Sequence, residues 1–375
     1  MEIYSIVLIA LTVLSLFEVF EQRHNSNGII FKVGQQSLIF NGKKLVVLLI
    51  VLTFMLISAL RDTSVGRDLI NYIPRYSHLG QAEWGSLFPL ARSYSFEYGF
   101  AIFCKVLYLI DQDPAFFLVI TSIIVSIGFY NISKLSKMPL VTMFILFGFG
   151  IFGSSMNIVR QFLSFTILTF SISCITERKL WKFLVIVIVA STFHTMALLF
   201  IPLYFLYTIK YNRTSLIAVV FVSVLMALFG SSLLGAVIGR TTFGWYLTRI
   251  GSGSGESTLV FLGAILFAVY VYRNKIMDID EQDNLCIWGL SIAIICNVLA
   301  LRLGIFARLM TFFTPFIAVL IPDLVYAMKR KDEINRYIYV VVGLMVIAFF
   351  IFYYQFVLMG GEAEGARWFP YVRRP

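Results

Sequence analysis

Charge is scarce in this sequence. Of 375 residues only 13% are Asp, Glu, Lys or Arg, against about 25% in soluble domains. So few charges cannot coat a water-exposed surface. Apolar runs recur from residue 3 to residue 359, so lipid must serve as part of the solvent. Cysteine occurs four times, at Cys104, Cys174, Cys286 and Cys296, scattered through apolar segments with no CxxC and no His at ligand spacing. That excludes a disulfide framework and a zinc site as expectations, and neither a metal nor a cofactor is expected. No repeat at a fixed period and no low-complexity tract is present beyond the short Gly-Ser-Gly-Ser-Gly run at 251–255, so a repeat architecture is not expected. Met1-Glu2 leads straight into apolar sequence, with no basic n-region and no small-residue cleavage site after Phe20. The first segment is therefore expected to remain as an anchor.

Apolar residues make up 59% of the chain, and the mean hydropathy is +0.88. Spans of roughly 20 residues cross about 30 Å of hydrocarbon, and the sequence predicts them at 3–20, 44–60, 115–132, 139–156, 160–176, 215–238, 257–273, 285–302, 306–327 and 337–359. Residues 183–209 form a longer apolar run interrupted by Ser191-Thr192-Phe193-His194, either one tilted helix or a hairpin of two short ones. The net charge of +10 does not point to nucleic acid, because the basic residues sit between apolar runs rather than in a stripe with interleaved aromatics. More than half of the 30 fall in six connections, at 21–44, 133–138, 177–182, 210–214, 273–284 and 328–336. The positive-inside rule puts such loops on the cytoplasmic side. All six share that side only if 183–209 is a hairpin with His194 near its outer tip, and if Tyr98–Ile110, 13 residues containing Lys105, does not cross. The expected architecture is a single all-α transmembrane domain over 1–375 with about 11–13 membrane helices. An outer loop at 61–114 would contain an interfacial helix at 98–110.

The outer side then collects polar residues that need a reason to be there. Arg61-Asp62 and Asp68 open the long loop, and Asp68 can begin a helix on which Tyr72 and Tyr76 fall one turn apart, offering aromatic faces to sugar rings. Asn157, Arg160 and Gln161 share one face at a helix start. There a guanidinium and free backbone N–H groups make a ready anion site, although snorkelling to headgroups is the plainer role. His194 could take a proton from a sugar hydroxyl, or simply pack. Arg302 and Arg308 bracket a turn, and Arg240 and Arg249 flank a loop bearing Trp245 and Tyr246. Arginines converging on one side would attract an anionic ligand.

Taken in order, these residues resemble the EpsG family of Wzy-type exopolysaccharide and O-antigen polymerases. The match runs from an Arg after the second span through Gly66-x-Asp68-x-x-x-Tyr72, Glu97-Tyr98-Gly99, Arg160-Gln161 opening a span and Ala190-Ser191-Thr192-Phe193-His194, to Arg308 beginning a late span. Arg67, where relatives would carry a small or polar residue, departs from the pattern. A terminal Trp368-Phe369-Pro370-Tyr371 is similar to the family's ending.

The resemblance implies a GT-C-like membrane glycosyltransferase of the bacterial cytoplasmic membrane with its active site facing outside. It would join undecaprenyl-diphosphate-linked oligosaccharide repeat units, as donor and acceptor, into exopolysaccharide, capsule or O-antigen, beside membrane lipid and with flippase and chain-length regulator proteins as partners. On this reading His194, Asp68 and Arg160 are catalytic, and Arg61, Asp62, Tyr72, Tyr76, Glu97, Asn157, Gln161, Arg302 and Arg308 bind substrate. A lipid-linked oligosaccharide flippase or polysaccharide transporter is the alternative, and a membrane O-acyltransferase using His194 is a third reading. The last would face its key residues to the cytoplasm. A single cysteine engineered at Phe193 should therefore react with a membrane-impermeant maleimide added from outside; protection of that thiol until the membrane is permeabilised would reverse the predicted topology.

Overall fold

The computed structural model of the chain describes residues 2–20, 29–33, 36–40, 42–66, 68–238, 255–273, 281–302 and 306–330, with the isolated positions 343 and 347. Arg67, Arg240, Arg249, Trp245, Tyr246, the predicted span 337–359 and the 368–371 ending lie outside the described residues.

Helix α1 (Glu2–Phe20) is followed by a short antiparallel hairpin of β1 (Ile29–Val33) and β2 (Gln36–Phe40), with Ile29 opposite Phe40 and Val33 opposite Gln36. Sequence reading treated this segment only as a basic connection. Ile-Ile-Phe-Lys-Val is nonetheless rich in the β-branched and aromatic residues that favour extended backbone. After α2 (Gly42–Ala59) come three shorter helices, α3 (Leu69–Gln81), α4 (Trp84–Ser93) and α5 (Tyr98–Ile110), then the long α6 (Pro114–Ser133). The predicted span at 139–156 is two helices, α7 (Pro139–Gly148) and α8 (Ile151–Asn157), bent by 55°. The next span is likewise divided, into α9 (Val159–Thr169) and α10 (Ile172–Thr176).

Helix α11 (Leu180–Ser191) is followed by a 3₁₀ turn (Thr195–Phe200) and α12 (Ile201–Leu206). The Phe183 and Tyr204 rings lie 5.1 Å apart and Arg178 Nη1 donates to the Tyr204 carbonyl at 2.8 Å, so the chain doubles back at His194. The segment is thus a hairpin of two short arms rather than one tilted helix. Helices α13 (Arg213–Ile238), α14 (Glu256–Arg273), α15 (Glu281–Ala300), α16 (Ala307–Met310) and α17 (Ile317–Arg330) complete the described chain.

Among the described residues six helical stretches are each long and apolar enough to cross a membrane, or seven if the bent pair counts as one span. Further predicted crossings are present as shorter apolar helices. The chain is an all-α polytopic membrane protein, with the β1–β2 hairpin its one strand pair among the described residues. Its lipid-facing surface is readable on α1, where Ile6, Ile9, Val13 and Phe17 form an exposed apolar stripe that water would not tolerate. Inside, α1 packs on α7, α2 on α6, α6 on α9, α9 on α11, α13 and α14 on α15, and both α7 and α15 on α17.

These alternating directions gather polar residues at two opposite ends. At one end Glu18 accepts from the backbone N–H groups of Leu140 and Val141, closing the start of α7. There too Lys137 Nζ donates to Asp283 at 2.9 Å, while Asp323 accepts from Ser136 Oγ and the Lys137 N–H at 2.9 and 2.7 Å. The basic connections 133–138, 177–182 and 210–214 lie at this end. The opposite end carries the N-termini of α3, α5 and α9, the His194 tip and α16.

Helix α5 explains its own lysine. It packs on α3, α4 and α6, and the buried Lys105 ammonium donates to the Gly80 and Ala82 carbonyls at 2.7 and 2.6 Å. A cation at the C-terminus of α3 satisfies carbonyls that have no partner within the helix. Lys105→Met should strip both of their buried donor and cost about 1–3 kcal/mol, measurable as a lower unfolding temperature in detergent. An unchanged unfolding temperature would mean that solvent or headgroups replace the lysine.

Candidate functional site

Two glycines set how closely the elements at this end approach. Gly66 has φ +113°, a conformation L side chains rarely adopt, and a Cβ there would stand 2.7 Å from the Met156 carbonyl oxygen. The turn before α3 therefore lies directly on the end of α8. Gly99 sits against the end of α11: a Cβ would fall 2.2 Å from Thr192 Oγ1, and the next residue, Phe100, donates its N–H to the Thr192 carbonyl. The Gly of Gly66-x-Asp68 and the Gly of Glu97-Tyr98-Gly99 thus each dock a helix start onto the bundle.

Glu97 holds the centre of one network. One carboxylate oxygen accepts from Arg160 Nη1 at 2.6 Å, and the other accepts from the Thr195 N–H at 3.0 Å and its hydroxyl at 3.3 Å. Arg160, at the start of α9, also donates to the Ser95 carbonyl at 3.1 Å and from Nε to the Tyr72 hydroxyl at 3.4 Å. Its guanidinium lies 4.4 Å from the Phe96 ring centre, and Arg75 lies 5.2 Å from the same ring, so Phe96 touches two cations. Ser95 has φ +54°, an uncommon conformation for a non-glycine residue, at the residue whose carbonyl takes Arg160.

A second network runs through Asp68. This residue stands at the N-cap of α3, yet its side chain makes no capping bond. Its carboxylate faces Arg308 Nη2 at 3.7 Å instead, and its backbone N–H donates to Asn157 Oδ1 at 2.8 Å. Gln161 Nε2 donates to the Arg308 carbonyl at 2.6 Å, which joins α9 to α16. Gln161 is buried, and its Oε1 has no partner among the described residues.

His194 sits between the two networks, its ring 5.7 Å from that of Phe312. Nδ1 accepts from the Met196 N–H at 3.3 Å, so in the neutral ring Nε2 carries the proton. Burial first, then the positive charges of Arg160 and Arg308, hold this imidazole down at about 3. The neutral ring is a donor through Nε2 and a weak base.

The structure therefore brings together Asp68, Tyr72, Glu97, Asn157, Arg160, Gln161, His194 and Arg308. The other sequence candidates stand apart. Tyr76 is sealed against Tyr108 and Phe117, with its hydroxyl on the Asp111 carbonyl at 2.7 Å. Arg61 is buried and donates to Ser58 and to the Met156 carbonyl, tying α2 to α8. Asp62 accepts from the Ser64 N–H at 2.9 Å in a local turn, and those Ser64 bonds hold its carboxyl below the usual range. Arg302 is exposed at the end of α15 and joins neither network among the described residues. Sequence reasoning missed Ser95, Phe96 and Thr195, which carry no motif, and Asp283 and Asp323. For Asp323 a signal was available, since an acid inside an apolar span is rarely idle.

A family model described as the EpsG family matches residues 44–372, which includes every one of these residues. No curated protein and no solved structure matches the chain.

With only three histidines in the chain, ring signals of selectively labelled protein can be followed singly. Those of His194 should not move between pH 7 and pH 5. The ordinary value is 6.5 and the folded value about 3, so the unfolded chain takes the proton first as pH falls. The contribution of the neutral ring to stability is complete above pH 6.5 and is lost on descending towards 3. His194→Gln should flatten the pH dependence of the unfolding temperature in that window; a His194 signal that titrates near 6.5 would overturn the assignment.

Proposed function

The chain belongs to the EpsG family, a family of Wzy-like polysaccharide polymerases and exopolysaccharide glycosyltransferases, and from that premise we propose that it polymerises undecaprenyl-diphosphate-linked repeat units at the outer face of the cytoplasmic membrane. The observation that carries the reading is the meeting of Arg160 and Arg308 at one end of the bundle, each beside a carboxylate and both close enough to His194 to depress its basicity. Two guanidiniums and the start of α9 suit a diphosphate. The basic loops at the opposite end support an outward-facing site. A transporter would set ionisable groups along a path through the middle of the bundle; among the described residues they collect at its ends.

In the proposed reaction a hydroxyl of one saccharide attacks the anomeric carbon of the other. The carbon–oxygen bond to the diphosphate breaks, and the lipid diphosphate leaves with the electron pair. Arg160 and Arg308 stabilise the charge gathering on it. The hydroxyl proton passes to Asp68 rather than His194, because the neutral His194 ring commits Nδ1 to the Met196 N–H and carries its proton on Nε2. His194 Nε2–H donates to a diphosphate or sugar oxygen. Tyr72 stays at the site as a partner of Arg160.

Purified protein supplied with a lipid-linked repeat unit should produce a ladder of products, whereas a single shifted band would mean ligation and no change would speak for transport. Arg160→Gln should lower the rate by about 10²–10³-fold, as removal of other preorganised groups does. Arg160→Lys should rescue little, because an ammonium cannot reach Tyr72, Ser95 and Glu97 as the guanidinium does. Asp68→Asn should abolish the ladder while leaving the protein folded. Unchanged polymer amount and length in an Arg160→Gln strain would remove the diphosphate assignment.

A further inference from the structure

Next in sequence to the candidate site, between α4 and the start of α5, is an open cleft of about 480 Å³ lined by Phe88, Pro89, Arg92, Ser93 and Tyr98. Its size falls in the range of about 300–1,000 Å³ typical of small-ligand sites. The Phe88 and Tyr98 rings meet at 4.9 Å with 55° between their planes, yet remain 42% and 50% exposed. One turn before Phe88, Trp84 is 56% exposed. Exposed rings beside a cation and a hydroxyl form a surface with both an apolar face and hydrogen-bonding groups.

We infer that this cleft is a saccharide subsite, which on the polymerase reading receives sugar units lying beyond the reacting pair. The C–H faces of pyranose rings would lie on Phe88 and Tyr98, while Arg92 and Ser93 bond their hydroxyls or carboxylates. Continuity with the site favours this occupant. The segment that lines the cleft at Ser93 and Tyr98 presents, between those two residues, the Ser95 carbonyl and the Glu97 carboxylate that hold Arg160. On this proposal a chain leaving the reacting centre would follow 95–97 into the cleft. Aromatics at headgroup level also form membrane belts, but a belt requires neither a concavity nor a guanidinium opening into it.

The test uses full-length protein in nanodiscs. The probe is the lipid-free oligosaccharide released by mild acid from the producing strain's own lipid-linked repeat unit. The double variant Phe88→Ala/Tyr98→Ala should weaken its binding by about tenfold or more, the scale of losing two aromatic contacts. Arg92→Gln, a conservative change at an exposed position, should weaken it severalfold with the unfolding temperature unchanged. Ladders from both should shorten. Equal probe binding by wild type and both variants overturns the subsite, as does quenching of a tryptophan placed at Phe88 by headgroup-brominated lipid that the probe does not relieve. If wild type makes a ladder while probe binding ignores these residues, the subsite fails and the polymerase stands. If wild type binds the probe through them but makes no ladder, the reverse holds.

Discussion

A guanidinium withdrawn from most of its water must be met by protein partners, and Arg160, which bonds through Nε and Nη1 and keeps 15% of its side chain exposed, is the place where this protein meets that demand. Its ion pair with Glu97 is mostly covered, and breaking such a pair by removing one partner costs about 3–5 kcal/mol because the other charge stays behind. The demand organises its surroundings. Glu97 must stand at the start of α5 with one oxygen on Arg160 and the other on Thr195, which fixes the hairpin tip. Gly99 must be small for α5 to approach Thr192 that closely, and Ser95 must turn its carbonyl inward through an unfavourable φ. Tyr72 and Phe96 complete the shell. Contacts to this one cation and its carboxylate link α3, α5, α9 and the hairpin tip.

The far end of the bundle obeys the same rule with other partners. Lys137 meets Asp283 and lies near Asp323, and Glu18 closes α7. Basic residues that orient a membrane protein during insertion are here also mortar between α7, α15 and α17. Both ends are therefore tied by polar contacts, and the middle is mostly apolar packing. Broken helices such as α7–α8 and α9–α10 fit this division, since a helix interrupted inside a packed bundle can have its freed backbone groups satisfied by neighbours.

Much of this was legible in the sequence. Within the described residues apolar run lengths located the long apolar helices but not the breaks at α7–α8 and α9–α10, loop charge demanded the hairpin at 183–209, and a lysine in a 13-residue run kept α5 from being read as a crossing. The convergence of Asp68, Arg160, His194 and Arg308 followed from the topology. What the sequence could not separate were residues alike in type and spacing but unlike in cover. Tyr72 and Tyr76 share a helical face, yet Phe117 of α6 closes over one while Arg160 reaches the other. Arg61 and Arg160 both sit at a helix end; Ser58 and Met156 absorb the first. Such outcomes depend on which helix lies opposite, and that is a property of packing rather than of local pattern. The β1–β2 hairpin escaped for a different reason, since its five-residue strands are too short to stand out from an ordinary loop.

Asp68 shows what such a site asks of the chain that carries it. An aspartate at a helix N-cap ordinarily bonds the first turn and contributes about 1 kcal/mol; this one leaves α3 uncapped and turns to Arg308. On the proposed reaction the position is one where selection for folding and selection for activity would pull apart. Drift would accept Ser or Asn, which cap as well and carry no charge to balance. Persistence of an aspartate there over evolutionary time would record a standing stability–activity trade-off, written into a single side chain at the mouth of the bundle.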